Sequence, residues 1–289
     1  MYSTPTLATR FARNTRVLRS DVPLTEDQMR PTAPSVFAEG KHESRSERYT
    51  YIPTIEVLRG LRKEGFEPFM VAQGASRIEG KAEFTKHLIR LRHARQVSTR
   101  PEVNEIILIN SHDGASSYQM LAGMFRLICC NGLVVGDVVE DIRIPHKGRV
   151  EHEVIEGAFR VLDEFEAVEQ HVEAMKALSL EPREEIAFAT AALALRFGER
   201  PVEESGGHRP APVTAEQLNE ARRIDDIGHN LWGALQRVQE NAMRGGQPGR
   251  SAQGRRLHTR PVGSIDRSVS LNRALWMLAE EMRQIKAAA

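Results

Sequence analysis

The sequence predicts an α+β fold, in which a mixed or antiparallel β-sheet core is covered by helices and joined to a helical C-terminal unit. Three observations predict it. Residues 105–110, EIILIN, are apolar on both faces of an extended chain, the pattern of a central strand. Residues 149–178 place Val154, Ala158, Val161, Phe165, Val168, Val172 and Met175 near helical spacing, with acids on the opposite face. Beyond residue 212 helix caps and helical stripes replace the strand signals, as in Leu271, Leu275, Leu278 and Met282.

A chain of 289 residues can bury a full core, as one large domain or two. With 40% hydrophobic and 27% charged residues it has the composition of an ordinary soluble protein. No apolar run reaches the roughly 20 residues that span a bilayer, and MYSTPTLATRFARN lacks the apolar core of a signal peptide. The expected compartment is the cytoplasm, with no membrane partner. Cys129 and Cys130 are adjacent, so they offer neither an unstrained disulfide nor a CxxC metal spacing and read as reduced thiols. The net charge is only +1, against the pI above about 9 of a dedicated nucleic-acid domain. Any nucleic-acid binding must therefore come from segregated basic patches.

Four segments are expected in order. Residues 1–45 form a flexible Arg-rich N-terminal arm, 46–198 an α+β core domain, 199–212 a linker, and 213–289 a helical region with a basic loop at 244–260. In the arm, Pro5, Pro23, Pro31 and Pro34 break any long helix, while Arg10, Arg13, Arg16 and Arg19 recur every third residue. Residues 49–52 then read as a strand, and Thr54 as the N-cap of a helix carrying Ile55, Leu58 and Leu61 and stopped at Gly65. Residues 66–72 read as the next strand. GASRIEGKA, residues 74–82, invites comparison with a phosphate-binding P-loop. The comparison fails, because five residues separate Gly74 from Gly80 and Ala82 stands where Ser or Thr would hold magnesium. Residues 81–100 hold six Lys or Arg against the single acid Glu83; as a strand, 84–93 would put Arg90 and Arg92 on one basic face, a track for a sugar-phosphate backbone. After the central strand, Ser111, His112, Asp113 and Gly114 form a turn. Residues 117–128 fit a helical stripe (Tyr118, Leu121, Phe125, Ile128) or a strand face (Tyr118, Met120, Ala122, Met124). Gly123 favours a strand running to about residue 129, with Asn131 and Gly132 turning the chain.

The string SHDGASSYQ, followed by FRLICCNGLVV, resembles the signature of the phage/plasmid-like protein family of mobile elements catalogued as domain of unknown function 932. The likeness continues into LWGALQRVQENAMRGG and SLNRALWMLAE, so it covers most of the chain beyond about residue 48. The setting of that family implies a remote likeness to single-strand annealing proteins of the RecT / lambda Beta type.

Downstream, residues 138–144 read as a strand and 145–148 as a turn presenting Lys147. One long amphipathic helix is expected over 149–178 and a second, rich in Ala and Leu, over 182–197. ERPVEESGGHRPAP, residues 199–212, has the composition of a linker. Thr214 caps a helix whose character runs to about Met243. The segment 244–260 then holds Arg244, Arg250, Arg255, Arg256 and Arg260 without an acid, a composition that cannot bury a core. A last helix is expected over 269–285.

No catalytic residue and no metal or other cofactor is expected. His112 and Asp113 resemble in two letters the metal doublet of HD phosphohydrolases, and His146 could join them, but the doublet follows a strand rather than lying on a helix. Neither Ser111 nor Ser117 sits in a GxSxG elbow. The nucleic-acid-binding candidates are Lys86, Arg90, Arg92, Arg95, Arg126, Lys147, Arg244, Arg250, Arg255, Arg256 and Arg260, with His112, Asp113 and Asn131 as motif residues of open role. Arginine suits phosphate forks and stacking on unpaired bases. The functional expectation is single-stranded DNA binding with ATP-independent strand annealing by a homo-oligomer. Two alternatives stand beside it: a mobile-element protein that inhibits a host nuclease or defence system, docking through the acidic face of 149–178, and a metal-dependent nuclease.

Overall fold

A computed structural model of the chain describes residues 15–43, 51–76, 80–94, 96, 102–126, 131–135, 142–144, 150–198, 200–201, 208–209 and 211–288. Its contacts divide the chain into two compact units, Met1–Phe165 with Gly263–Ile265, and Glu166–Val262 with Asp266–Ala289. The division thus falls after Phe165, whereas composition alone points to 199–212.

The first unit is an antiparallel sheet covered by helices. In chain order it runs β1 (Thr15–Arg19), a short helix α1 (Glu26–Met29), a 3-10 turn (Pro34–Phe37), α2 (Thr54–Lys63), β2 (Phe66–Gly74), a 3-10 turn (Ala82–Phe84), β3 (His87–His93), β4 (Glu102–Asn110), β5 (Tyr118–Arg126), β6 (Asn131–Val134), β7 (Ile142–Ile144) and α3 (Val150–Asp163). The seven strands lie in the order β1-β2-β3-β4-β5-β6, with β7 also pairing β5. From β1 to β6 sequence order equals spatial order, and every pairing in the sheet is antiparallel. β4 is buried at all nine positions, as expected for an apolar strand in the sheet interior. β5 bears out the strand reading over Tyr118–Arg126; residues 127–130 lie outside the described residues. Gly123 is needed there, since a Cβ would lie 2.6 Å from Ile107 Cδ1 on the neighbouring strand.

Several expectations are corrected. Residues 15–43 are not a flexible arm: β1 pairs with β2 as a sheet edge, and Leu24, Met29, Ala33 and Val36 are fully buried. Apolar side chains spaced among the prolines anchor this segment, and a Thr25 capping box closes its short helix. Tyr51 and Ile52 are not in a strand but lead into α2. Pro53, rather than Thr54, is the N-cap, because the Thr54 hydroxyl is committed to buried partners described below. Asn131 and Gly132 do not turn the chain; they open β6, Asn131 opposite Arg126. The 3-10 turn Ala82–Phe84 leads into β3 rather than an α-helix, so among the described residues no α-helix N-terminus follows Gly74 as in a phosphate cradle. Residues 138–141 lie outside the described residues.

The second unit is mainly helical. α4 (Phe165–Ala177) follows α3 after a break at Glu164, so the single long helix expected over 149–178 is two. Then come α5 (Pro182–Phe197), the two-residue strands β8 (Arg200–Pro201) and β9 (His208–Arg209), α6 (Ala215–Asn219), a 3-10 turn (Ile224–Asp226), α7 (Leu231–Arg244), β10 (Pro248–Arg250), β11 (Arg256–His258) and α8 (Ile265–Ala288). β8 and β9 pair, so the expected linker carries secondary structure of its own. Thr214 does cap α6, in a capping box with Gln217. The helix expected from there to Met243 is broken by the 3-10 turn and by Asn230, which caps α7 by accepting from the Gly233 N–H.

Candidate nucleic-acid interface

α7 is buried along almost its whole length, including its polar residues Gln236, Arg237, Gln239, Glu240 and Asn241. A helix buried on its polar face must find partners for each group. Here most come from the surrounding loops and from α5 and α8, leaving Gln239 Oε1 without one among the described residues. Arg237 donates to the carbonyls of Asp226 and Gly228, both at 2.7 Å, and pairs with Glu185 at 3.0 Å. Gln239 donates to Asn272 of α8 at 2.8 Å. Asn241 donates to the carbonyls of Leu218 and Glu220 and accepts from Gln247 and from Arg222. Burial pushes the Glu240 carboxyl up, but the Arg223 and Arg244 guanidiniums beside it outweigh burial and hold it below the usual carboxylate range. The polar letters of LWGALQRVQENAMRGG are therefore a hub that fixes the loops before and after the helix.

What the hub positions is a basic hairpin. Gly245 ends α7 with φ +65°, and a Cβ there would lie 2.6 Å from the Arg260 carbonyl carbon. The chain then reverses through β10 and β11, pairing Pro248 with His258, Gly249 with Leu257 and Arg250 with Arg256. The Arg250 N–H donates to the Pro212 carbonyl at 2.9 Å, and Gln217 donates to Pro248 O at 2.8 Å, so one edge is pinned to the chain entering α6. Gln247 and Thr259 exchange further hydrogen bonds at the hairpin base. The expected loop over 244–260 is thus an anchored β-ribbon, formed because Gly254 at φ +76° closes its turn.

All five arginines of this segment, Arg244, Arg250, Arg255, Arg256 and Arg260, are exposed. Arg244 is tied to Glu240. Among the described residues the other four form no ion pair with a carboxylate. Arg250 and Arg256 face each other across the ribbon, a like-charge pairing that disfavours the hairpin unless an anion lies between or beside them.

The sheet candidates fare differently. Arg90 and Arg92 share a face as expected, but it is not an open track: both end on the buried Glu105 carboxylate, at 3.0 and 2.9 Å, and Arg92 also lies over the Phe69 ring. Arg90 is buried, so its assignment as a nucleic-acid contact is withdrawn. The neutralising acid comes from the neighbouring strand, where a count along β3 does not see it. Lys86 is half-buried just before β3. Arg126 and Asn131 face each other across β5 and β6. Arg95 and Lys147 lie outside the described residues.

His112 and Asp113 part company. His112 is buried beside Thr54, its Nε2 3.2 Å from the Thr54 hydroxyl, with the Tyr51 ring edge-on at 5.1 Å. The same hydroxyl meets His87 Nε2 at 2.9 Å, Asn110 Nδ2 at 3.0 Å and the Tyr118 hydroxyl at 3.3 Å. Tyr118 is therefore a core residue. Burial lowers His87 well below its ordinary value, and the facing His112 adds to the effect. Asp113 instead accepts from the Ala115 N–H at 2.9 Å and pairs with Lys81 at 3.3 Å. Burial raises its carboxyl, yet that N–H together with Lys81 and Ser111 keeps it below the usual range. Among the described residues no three His, Cys, Asp or Glu side chains converge to hold a metal; His146 lies outside them. The Thr54-centred cluster was missed from sequence, since its members are scattered from Thr54 to Tyr118.

The family described as "Domain of unknown function (DUF932)" matches residues 41–276. Two Escherichia coli (strain K12) relatives, UPF0380 protein YafZ and UPF0380 protein YfjQ, are each 51% identical over 276 residues, covering 96% of this chain and 97% of theirs. No solved structure matches the chain.

Proposed function

The chain belongs to the DUF932 family, and on the geometry of its hairpin we propose that it binds single-stranded DNA by the phosphates and anneals complementary strands without ATP. The observation that carries the reading is the β10–β11 ribbon, whose Arg250, Arg255 and Arg256, with Arg260 just beyond it, are exposed and without a carboxylate partner among the described residues, Arg250 and Arg256 being directly opposed. Such a ribbon lowers its own repulsion when anionic oxygens approach, and guanidinium planes accept both phosphate forks and unpaired bases. A strand gripped by its backbone leaves its base edges free to test a complement.

The test is retardation of a labelled oligonucleotide across a salt series, with single- and double-stranded probes. Binding should weaken as salt rises, with about 0.7 in the logarithmic slope for each single-strand phosphate contact. Arg255→Ala with Arg256→Ala should weaken it further while leaving the unfolding transition in place. No retardation at low salt would overturn the reading. A second reading, an interaction protein that docks by mimicking nucleic-acid charge, is favoured in that event by the exposed acids Glu151, Glu153, Glu156, Asp163 and Glu164 of the first unit.

A further inference from the structure

Most large apolar side chains of the second unit are buried, yet Ile224 is 86% exposed and Ile227 60% exposed. They flank Asp225, also exposed, on the 3-10 turn before α7. This turn is held rigidly. Asp226 is buried and its carbonyl accepts from Arg237 at 2.7 Å; on the other side Arg223 grips Glu240 at 3.0 Å, and the Ile227 N–H closes on Ile224 O at 3.2 Å. The result is a fixed knob of two isoleucines with a carboxylate between them.

The same unit carries a surface groove of about 330 Å³ between α5 and α8. That is about ten times the roughly 30 Å³ share of one water molecule, room for side chains. Leu195, Val262, Leu271 and Ala274 supply its apolar lining, and Arg196 and Arg267 outnumber Asp266 among its charged residues. No residue of the knob lines the groove of its own chain.

We propose that the knob of Ile224, Asp225 and Ile227 docks into the α5–α8 groove of a second copy of this chain. The occupant is argued from complementarity: two aliphatic side chains meet an aliphatic lining, and the Asp225 carboxylate meets a groove with an excess of guanidinium. Because knob and groove are different surfaces, the contact is heterologous; it closes as a reciprocal pair or a ring, or continues as a filament. The proposal does not depend on nucleic-acid binding.

The experiment is light scattering of the full chain over a concentration series, with the unfolding transition recorded for each variant. Wild type is expected to gain mass with concentration. Ile224→Ser with Ile227→Ser is expected to remain a monomer with an unchanged unfolding transition, since both side chains face solvent. Asp225→Arg and Arg267→Glu should each weaken self-association by at least about tenfold, and an equal mixture of the two should recover association between unlike copies. A wild-type monomer throughout the series would overturn the proposal. So would association that persists unchanged in the double isoleucine variant, which is readable even if Arg267→Glu fails to fold.

Discussion

Arg90 and Arg92 of β3 have side chains only 6% and 13% exposed and share one carboxylate, whereas Arg250 and Arg256 of the hairpin face solvent and each other. Both pairs sit in acid-poor stretches of sequence. Their difference comes from topology. β3 lies between β2 and β4, so a charge on it must be answered from a neighbouring strand, and Glu105 of β4 answers twice. The β10–β11 ribbon has only two strands, no core and no acidic neighbour in register. A basic run is thus a fold element when another strand covers it, and a candidate contact surface when none does.

The sharpest way to break this comparison is to cut the buried pair. Arg90→Ala should lower unfolding stability by about 3–5 kcal/mol, because it strands much of the Glu105 charge, and should leave the oligonucleotide affinity of the folded fraction unchanged. Urea denaturation beside gel retardation checks both halves. Reduced affinity at unchanged stability would return Arg90 to the binding surface. A smaller effect is expected at the other end of β3, where His87 depends on the Thr54 hydroxyl: Thr54→Val should cost about 1–3 kcal/mol in the same denaturation assay, by leaving buried partners without their common hydrogen-bonding group.

The fold was legible where burial leaves a periodic trace. The apolar run of β4, the Gly65 stop of α2, the Thr214 cap of α6 and the span of α5 could all be read from spacing. Asn131 was misread because Asn-Gly is a turn signal in isolation, whereas the outer edge of β5 supplies a partner that makes it a strand. The N-terminal segment was misread because its prolines hid Leu24, Met29 and Val36, which bury themselves without any period. At the candidate site, the arginines of 244–260 could be counted, but their grouping on a ribbon depends on Pro212 and Gln217, both distant in sequence. The Thr54 cluster left no trace at all, since three of its members arrive from separate strands.

His87 sharpens the comparison through pH. It is held below 6.5 in the folded chain mainly by burial, so below that pH the unfolded chain takes up a proton that the folded chain refuses. Stability should be full above pH 6.5 and fall as pH drops below it, by up to about 1.4 kcal/mol per pH unit. Denaturation midpoints between pH 5 and 8 should show this slope in wild type and lose it in His87→Gln. The hairpin arginines keep their charge over the same range, so oligonucleotide binding by the folded fraction should stay flat.

The smallest expected effect lies in the hairpin itself, and its sign is informative. Arg250 is repelled by Arg256 across the ribbon but also donates to the Gly254 carbonyl at 3.1 Å, closing the turn. An exposed hydrogen bond of this kind contributes little, and at low salt the repulsion between opposed charges is scarcely screened. Arg250→Ala should therefore stabilise the ribbon by about 0.2–1 kcal/mol at low salt, and the gain should shrink toward zero at high salt. Hydrogen exchange at the Ser251 amide, which donates to Arg255 O at 2.9 Å inside the ribbon, reads this directly as rising protection. The same variant should lose about 0.7 from the salt slope of oligonucleotide binding. Greater ribbon stability with weaker binding is the signature of a residue kept for a contact rather than for the fold. If protection fell instead, Arg250 would be a turn-forming residue and would belong with β3 in the comparison.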